Sequence, residues 1–383
     1  MRQNPPFQPR HLLLLLGMVL FGLCSCKPDG SSSSGRDSSS GGGDSALADA
    51  LRDQDEGLGE DPDDDPRPLI GIAYDEAGLP FRAVQGHLIQ QLLEIREEDY
   101  RMDPVDAKGS QARQIEDIES FVRRKAKVII VFAFEAEGLA EVLGAARAAG
   151  VKILCVGSAG IVDLPADLRF VVDEYEIGRI AGELVVDRLK RKMEFERAAE
   201  LTGAVVEITG VDLEGDMSRE RSAGFHEVLA AHPGIRVVHQ APGLWNEGDA
   251  VARVLEALRL QPEIDVIYAH NDAMAYASYL AAREKGRHQG ILFVGTDGIG
   301  GPVGGIAHVR DQMMGGTIVV PLLLEEIAMG ALALADSKDA GEADRAFTPE
   351  LVTIANSHAK YREHTSGPEK LLLKYELTPE EGE

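Results

Sequence analysis

The sequence predicts an α/β protein of two doubly wound parallel-sheet lobes, and three observations carry that expectation. From Pro68 onward, short β-branched runs alternate with longer amphipathic stretches; the runs are continuously apolar; and there are nine of them. Continuous apolar strands separated by helices belong to parallel sheets covered on both faces, whereas a half-solvated sheet would alternate polar and apolar residues. Nine strands exceed one comfortable sheet. A chain of 383 residues is long enough to give each of two lobes its own core.

In chain order the strand candidates are LIGIAY (69 to 74), VIIVFAF (128 to 134), VKILCVG (151 to 157) and RFVVD (169 to 173). They continue with AVVEITG (204 to 210), IRVVHQA (235 to 241), DVIYAH (265 to 270), ILFVGTD (291 to 297) and GTIVV (316 to 320). Helical periodicity lies between them, as in SQARQIEDIESFVRRKA, where Ile115, Ile118 and Val122 recur at spacings of three and four. The 41 glycines suit the many tight strand-to-helix turns of such a fold.

Composition narrows the function. Aspartate and glutamate outnumber lysine and arginine by 64 to 39, so a nucleic-acid partner, which needs a basic face, is not expected. No G-x-S-x-G elbow, P-loop, G-x-G-x-x-G at a strand end or metal-spaced His/Cys cluster is present, so neither an enzyme, a cofactor nor a metal site is expected. The glycine-rich GIGGPVGG (Gly298 to Gly305) lacks a following Lys-Ser/Thr and is not read as a phosphate cradle. A neutral small molecule is the expected ligand.

The N-terminus indicates export. Arg2 and Arg10 precede LLLLLGMVLFGL (Leu12 to Leu23), which is too short for a permanent transmembrane helix and has the form of a signal-peptide core. The following Leu23-Cys24-Ser25-Cys26 resembles the bacterial lipoprotein signal, and the small Ser25 makes Cys26 the residue expected to be lipidated. Residues 1 to 25 are thus read as a signal peptide. Its removal takes two arginines and no acid from a chain of formal net charge −25. Residues 26 to 67, with SSSSGRDSSSGGGD and EDPDDDPRP, are too poor in apolar content to repay ordering and are read as a flexible tether. Cys155 alone remains beyond them, read as a buried strand residue, so no disulfide is expected there.

In open parallel sheets ligands bind beyond the carboxyl ends of the strands, and the polar residues at that edge form a pattern. The first strand leads to DEAGLPFR, with Asp75, Glu76, Phe81 and Arg82. Four units of the second half offer Arg221 in DMSRERSAGF, the only tryptophan, Trp245, in PGLWNEGD, Asn271 after DVIYAH, and Asp297 in FVGTD. Planar Asp, Asn and Arg groups each engage two adjacent hydroxyls while an aromatic ring covers a C–H face, which is what a sugar requires. Simpler roles stand beside this one: Asn271 and Asp272 are both candidate caps of the following helix, with Asp272 the favoured one, Asp297 is a candidate turn residue before Gly298, and Arg221 a candidate solvated charge.

RSAGF (Arg221 to Phe225), YAHNDAMA (Tyr268 to Ala275), VGTDG (Val294 to Gly298), EIGRIAGE (Glu176 to Glu183), DAKGSQARQIEDIESF (Asp106 to Phe121) and LVTIAN (Leu351 to Asn356) together resemble the type I periplasmic sugar-binding proteins of the ribose, xylose and galactose group, over residues 68 to 360. The resemblance implies two lobes joined by three crossover segments, near Asp173-Glu174, Val320-Pro321 and Thr348 to Leu351, with hinge closure over the ligand. It divides the chain into an N-terminal lobe (68–173 plus 321–348) and a C-terminal lobe (174–320 plus 349–383). It implies that Arg221, Asn271 and Asp297 contact sugar hydroxyls, that Trp245 stacks on the ring, and that Phe81 and Arg82 close the other side. It also implies an ABC permease or a sensor kinase as receiving partner, and a periplasmic or cell-surface location. Three positions depart from the family pattern: Gly157-Ser158 stand where an Asp-Arg pair is common, Phe132 where a polar residue is common, and Leu79 where Asn or Asp often precedes the proline. The N-terminal side of the site is therefore expected to be the less polar one.

Overall fold

A computed structural model describes residues 65–374 apart from 212, 214 and 342. The residues read as a signal peptide, most of those read as a tether, and Cys26 lie outside the described residues. Among the described residues no helix is long and apolar enough to cross a membrane.

The chain builds two six-stranded sheets. The first uses β1 (Leu69–Tyr74), β2 (Arg101–Asp106), β3 (Val128–Phe132), β4 (Lys152–Gly157), β5 (Leu168–Val172) and β11 (Asp344–Phe347), in the order β11-β5-β4-β3-β1-β2. The second uses β6 (Gly203–Thr209), β7 (Ile235–Pro242), β8 (Val266–Ala269), β9 (Leu292–Asp297), β10 (Gly316–Val319) and β12 (Glu350–Thr353), in the order β12-β10-β9-β8-β6-β7. Every pairing is parallel except β10 with β12. The expected α/β class with two doubly wound lobes is what forms.

All nine apolar runs become strands, and the central ones are buried on both faces, as in β1 and β3. Two strands had no such signal. β2 reads RMDPVD and β11 reads DRAF; both are sheet edges, where one side faces solvent and Pro104 costs no ladder bond. The LVTIAN segment supplies the antiparallel edge strand β12.

Among the described residues ten α-helices cover the sheets: α1 (Pro80–Leu93), α2 (Gln111–Arg123), α3 (Leu139–Ala148), α4 (Glu174–Glu196), α5 (Asp216–Ala230), α6 (Glu247–Leu260), α7 (Asp272–Glu284), α8 (Gly305–Arg310), α9 (Leu324–Ala335) and α10 (Ser357–Lys374). Side chains at the turns stop the strands and start the helices. Asp173, Asn246 and Asn271 accept the backbone N–H of Glu176, Asp249 and Met274 at 2.8, 2.9 and 2.8 Å.

The closest helix pair is α4 with α5. A Cβ on Gly178 would lie 1.9 Å from the Arg221 carbonyl oxygen, and one on Gly224 would lie 2.0 Å from that of Tyr175. Only glycine lets the two backbones approach this far. The glycines of EIGRIAGE and RSAGF therefore set the spacing of the two helices, and that spacing brings the first turn of α4 against Arg221.

The chain passes from first sheet to second between β5 and α4, returns between β10 and α9, and passes again between β11 and β12. Helix α10 adds another tie. Its first half lies on the second sheet's side, where Tyr361 joins that core and the Thr365 hydroxyl accepts the Gly301 N–H at 3.0 Å. Its last turn lies on the first sheet's side, where Leu372 joins the core under α1 and α9, and Lys374 pairs with Glu325 at 2.5 Å. The expectation that everything from 349 to 383 stays with the C-terminal lobe is corrected here: Leu371 and Leu372 are apolar and bury against the other lobe's core. Gly367 and Pro368 fall inside the helix, between the two attachments.

Candidate ligand-binding site

Trp245 and Asn271 follow β7 and β8, Asp297 ends β9, and Arg221 lies in α5, the helix after β6; contacts join Arg221 and Asn271 to Trp245, and Asp297 is near enough for its charge to act on Arg221. Leu244 and Trp245 hold left-handed backbone, with φ of 50° and 58°. Two consecutive non-glycine residues of this kind store strain that surrounding contacts must hold. Gly210 provides one of them, since a Cβ there would sit 2.0 Å from the Trp245 ring. Asn271 provides another by donating from Nδ2 to the Trp245 carbonyl at 3.0 Å.

Asn271 is also the residue that caps α7. The expectation that Asp272 is the cap is thus corrected. Asp272 is the first residue of the helix and turns inward, where its carboxylate accepts the Gly298 N–H at 2.8 Å beside Gly295 and Gly305. A side chain at either glycine would collide with it. Asn271 spends its oxygen and one amide proton within the protein, leaving one lone pair and one proton for a ligand.

Arg221 is buried. Its Nε donates to Glu174 Oε2 at 2.5 Å, its Nη1 donates to the His270 carbonyl, and its guanidinium lies 5.5 Å from the Trp245 ring. Nη2 has no partner among the described residues. Burial works against the arginine's charge, but Glu174 more than restores it, so its pKa is raised. Arg221 is therefore not a solvated helix charge. His270 is held in turn by Glu207, a fully buried carboxylate inside β6 that accepts from His270 Nε2 at 3.0 Å, His226 Nε2 at 2.8 Å and Gln240 at 2.6 Å. Burial alone would raise the Glu207 pKa; the two histidines reverse this and hold it below the usual carboxylate range.

Asp297 ends β9 with φ of 117°, outside the range non-glycine residues favour, and is only 8% exposed. No hydrogen bond or ion pair engages its carboxyl among the described residues. Burial and the neighbouring Asp272 raise its pKa well above the ordinary value, while Arg221 opposes the rise. Asp272 is raised as well, by burial.

The first lobe's contribution is different in kind. Arg82 makes a two-pronged ion pair with Asp75 at 2.8 Å on each prong, donates to Gln85 at 2.5 Å, and lies 4.5 Å above the Phe132 ring. Phe132 stacks on Tyr74 with centroids 5.0 Å apart. Phe81 reaches across and packs against the second sheet's core. Arg82 is near enough for its charge to act on Asp297. Glu76 is not drawn into this group: it faces the β2–α2 turn, where a Cβ on Gly109 would sit 3.3 Å from its Oε2. The two lobes also touch at their rims, where the Ala136 N–H donates to Asp216 at 3.4 Å and the Asp216 N–H donates to Glu135 at 3.2 Å.

Two residues of this site had no assigned role in the sequence, and a third was assigned the wrong one. Glu174 looked like one more acid opening a helix. Glu207 carried a signal, a lone charge within the apolar run AVVEITG of a central strand. Asp272 was visible but misread, because its burial depends on glycines from other elements. No group of three or more His, Cys, Asp or Glu side chains suited to a metal exists among the described residues.

The chain can be compared with known proteins on this basis. It matches the periplasmic binding protein domain family over residues 70–321. It is 27% identical over 204 residues to a D-apiose import binding protein of Actinobacillus succinogenes, an alignment that spans 53% of this chain and 60% of that relative. A xylitol-binding protein of Mycolicibacterium smegmatis is 27% identical over 265 residues, or 66% of this chain and 70% of the relative. Among solved structures, the fructose-binding periplasmic domain of a hybrid two-component system superimposes with a TM-score of 0.69 at 24% identity, covering 81% of this chain and 97% of the other. The arabinose ABC-transporter binding protein of Shewanella sp. ANA-3, bound to L-arabinofuranose, superimposes with a TM-score of 0.66 at 20% identity, covering 81% and 99%.

Proposed function

The chain belongs to the periplasmic binding protein family, and from that premise we propose that it captures a sugar or sugar-like polyol between its two lobes and hands it to a membrane partner. The family consists of extracytoplasmic substrate-binding proteins rather than enzymes. One observation carries the choice of ligand: the free Nη2 of Arg221 and the unengaged carboxyl of Asp297 are both buried in one cluster with the Trp245 ring. Both groups belong to residues that are largely buried yet keep bonding capacity that the protein does not use. Vicinal hydroxyls answer both at once, and the ring covers the C–H face between them.

The relatives support a compact polyol, since they are named for apiose, xylitol, fructose and arabinofuranose. In this reading Trp245 stacks on the ligand, Arg221, Asn271 and Asp297 bond its hydroxyls, and Phe81 and Arg82 close over it. The receiving partner is an ABC permease, and the body is held at the membrane by lipid on Cys26. A second reading, presentation to a sensor kinase, is favoured by the likeness to a two-component periplasmic domain. Thermal-shift screening of the chain against pentoses, hexoses, deoxysugars and linear polyols tests the ligand class. One or more should raise the melting temperature in the wild type and none in Asp297→Ala; a panel without any shift overturns the reading.

A further inference from the structure

The arginines that face the cleft have already spent their charge. Arg82 is locked in a two-pronged pair with Asp75, and Arg221 is paired with Glu174, both side chains of the latter pair being 4% exposed. An arginine in a ligand site ordinarily grips a carboxylate or phosphate. Here that capacity is consumed internally, while Asp297 and Asp272 add two carboxyl groups near Arg221.

Glu174 is the first residue of α4, immediately beyond the first passage between the lobes. The glycine contact between α4 and α5 fixes the distance at which it meets Arg221. With Nε taken by Glu174 and Nη1 by the His270 carbonyl, the guanidinium is held at two points, 5.5 Å from the Trp245 ring, with Nη2 left over. We infer that Glu174 is the positioning and charge-selecting residue of the site: it aims Arg221 and cancels its charge, so that the cleft accepts uncharged polyols and rejects sugar acids. The ligand half of this inference rests on the function proposed above; the positioning half does not.

The single tryptophan makes the positioning half measurable without any ligand. In the full chain, Glu174→Gln keeps the shape of the side chain and removes its charge. Arg221 then loosens from Trp245, and acrylamide quenching of the indole should rise as it does in Arg221→Met. The double variant should add nothing to either single change, the mark of two residues acting through one contact. Far-UV circular dichroism identifies any variant that has failed to fold, and Glu174→Asp, which restores the charge, should recover part of the wild-type quenching. For selectivity the probe is D-galacturonate, measured by the same fluorescence: Glu174→Gln should bind it at least about tenfold more tightly than the wild type, since an unpaired buried arginine recruits an anion. Quenching in folded Glu174→Gln equal to wild type, alongside a clear change in Arg221→Met, overturns the positioning role. Galacturonate binding no stronger in Glu174→Gln than in wild type overturns the charge selection. Failure of every neutral polyol to bind the wild type would instead sink the proposed function while leaving the quenching result readable.

Discussion

The two sides of the cleft are built from the same kind of βα unit but solve opposite problems. On the second lobe, Arg221, Asn271 and Asp297 keep donors and acceptors in reserve, held by strained backbone at Trp245 and Asp297. On the first lobe, Arg82, Asp75 and Gln85 satisfy one another, and Phe132 and Tyr74 form a stacked floor beneath them. Unmet polar groups cost free energy until a ligand answers them, whereas a self-satisfied surface costs nothing to leave alone. In the proposed function the second lobe is thus the half that binds first, and the first lobe the half that covers.

The contrast can be broken most severely at Arg221. Arg221→Ala strands Glu174 as a lone buried charge, so the chain should lose about 3–5 kcal/mol of stability in urea unfolding, and polyol binding should vanish in calorimetry. Next in size is Gly224→Ala, which pushes a methyl into the Tyr175 carbonyl and should cost about 1–3 kcal/mol by the same unfolding measurement. Arg82→Ala, on the self-satisfied side, should weaken polyol affinity only about tenfold in calorimetry, because Arg82 gives a ligand little that its own partners have not taken.

The smallest expected effect is one of pH at the rim. Burial, with Glu174 and Asp216 nearby, pushes Glu220 up from 4.5 to about 7, and burial also raises Glu135. Arg219 is the cation there that opposes both. Carboxyls with raised values take up protons as the rims meet. Asp216, across the rim, is among the charges that raise Glu135, so contact between the lobes should weaken as pH rises above the ordinary carboxylate range. Spin-label distances between Glu141→Cys and Glu227→Cys, on α3 and α5, should lengthen modestly from pH 5 to pH 8; an unchanged distance would remove the rim acids from the account.

Much of this was legible from the sequence because it depends on strand ends. A buried parallel strand must be an apolar run, and a polar residue at its carboxyl end must face the cleft, which is enough to group Trp245, Asn271 and Asp297. Edge strands escape that logic: β2 and β11 are polar because solvent covers one side. Contacts between distant elements escape it too. Glu174 reads as an ordinary helix-opening acid until Gly178 and Gly224 bring α5 against it. Asp272 and Asn271 are both fit to cap a helix, and only the space left by Gly295 and Gly305 decides which of them turns inward.

The C-terminal helix has a mechanical consequence. A body whose halves meet only at three strands of chain on one flank could swing as widely as those strands twist. This one is also riveted by Tyr361 at one end of α10 and by Leu372 at the other, with Pro368 missing a backbone donor between the rivets. If the lobes open and close as proposed, the flexibility of α10 about Pro368 sets how far they can part, and removing the segment from Gly367 onward should widen that range.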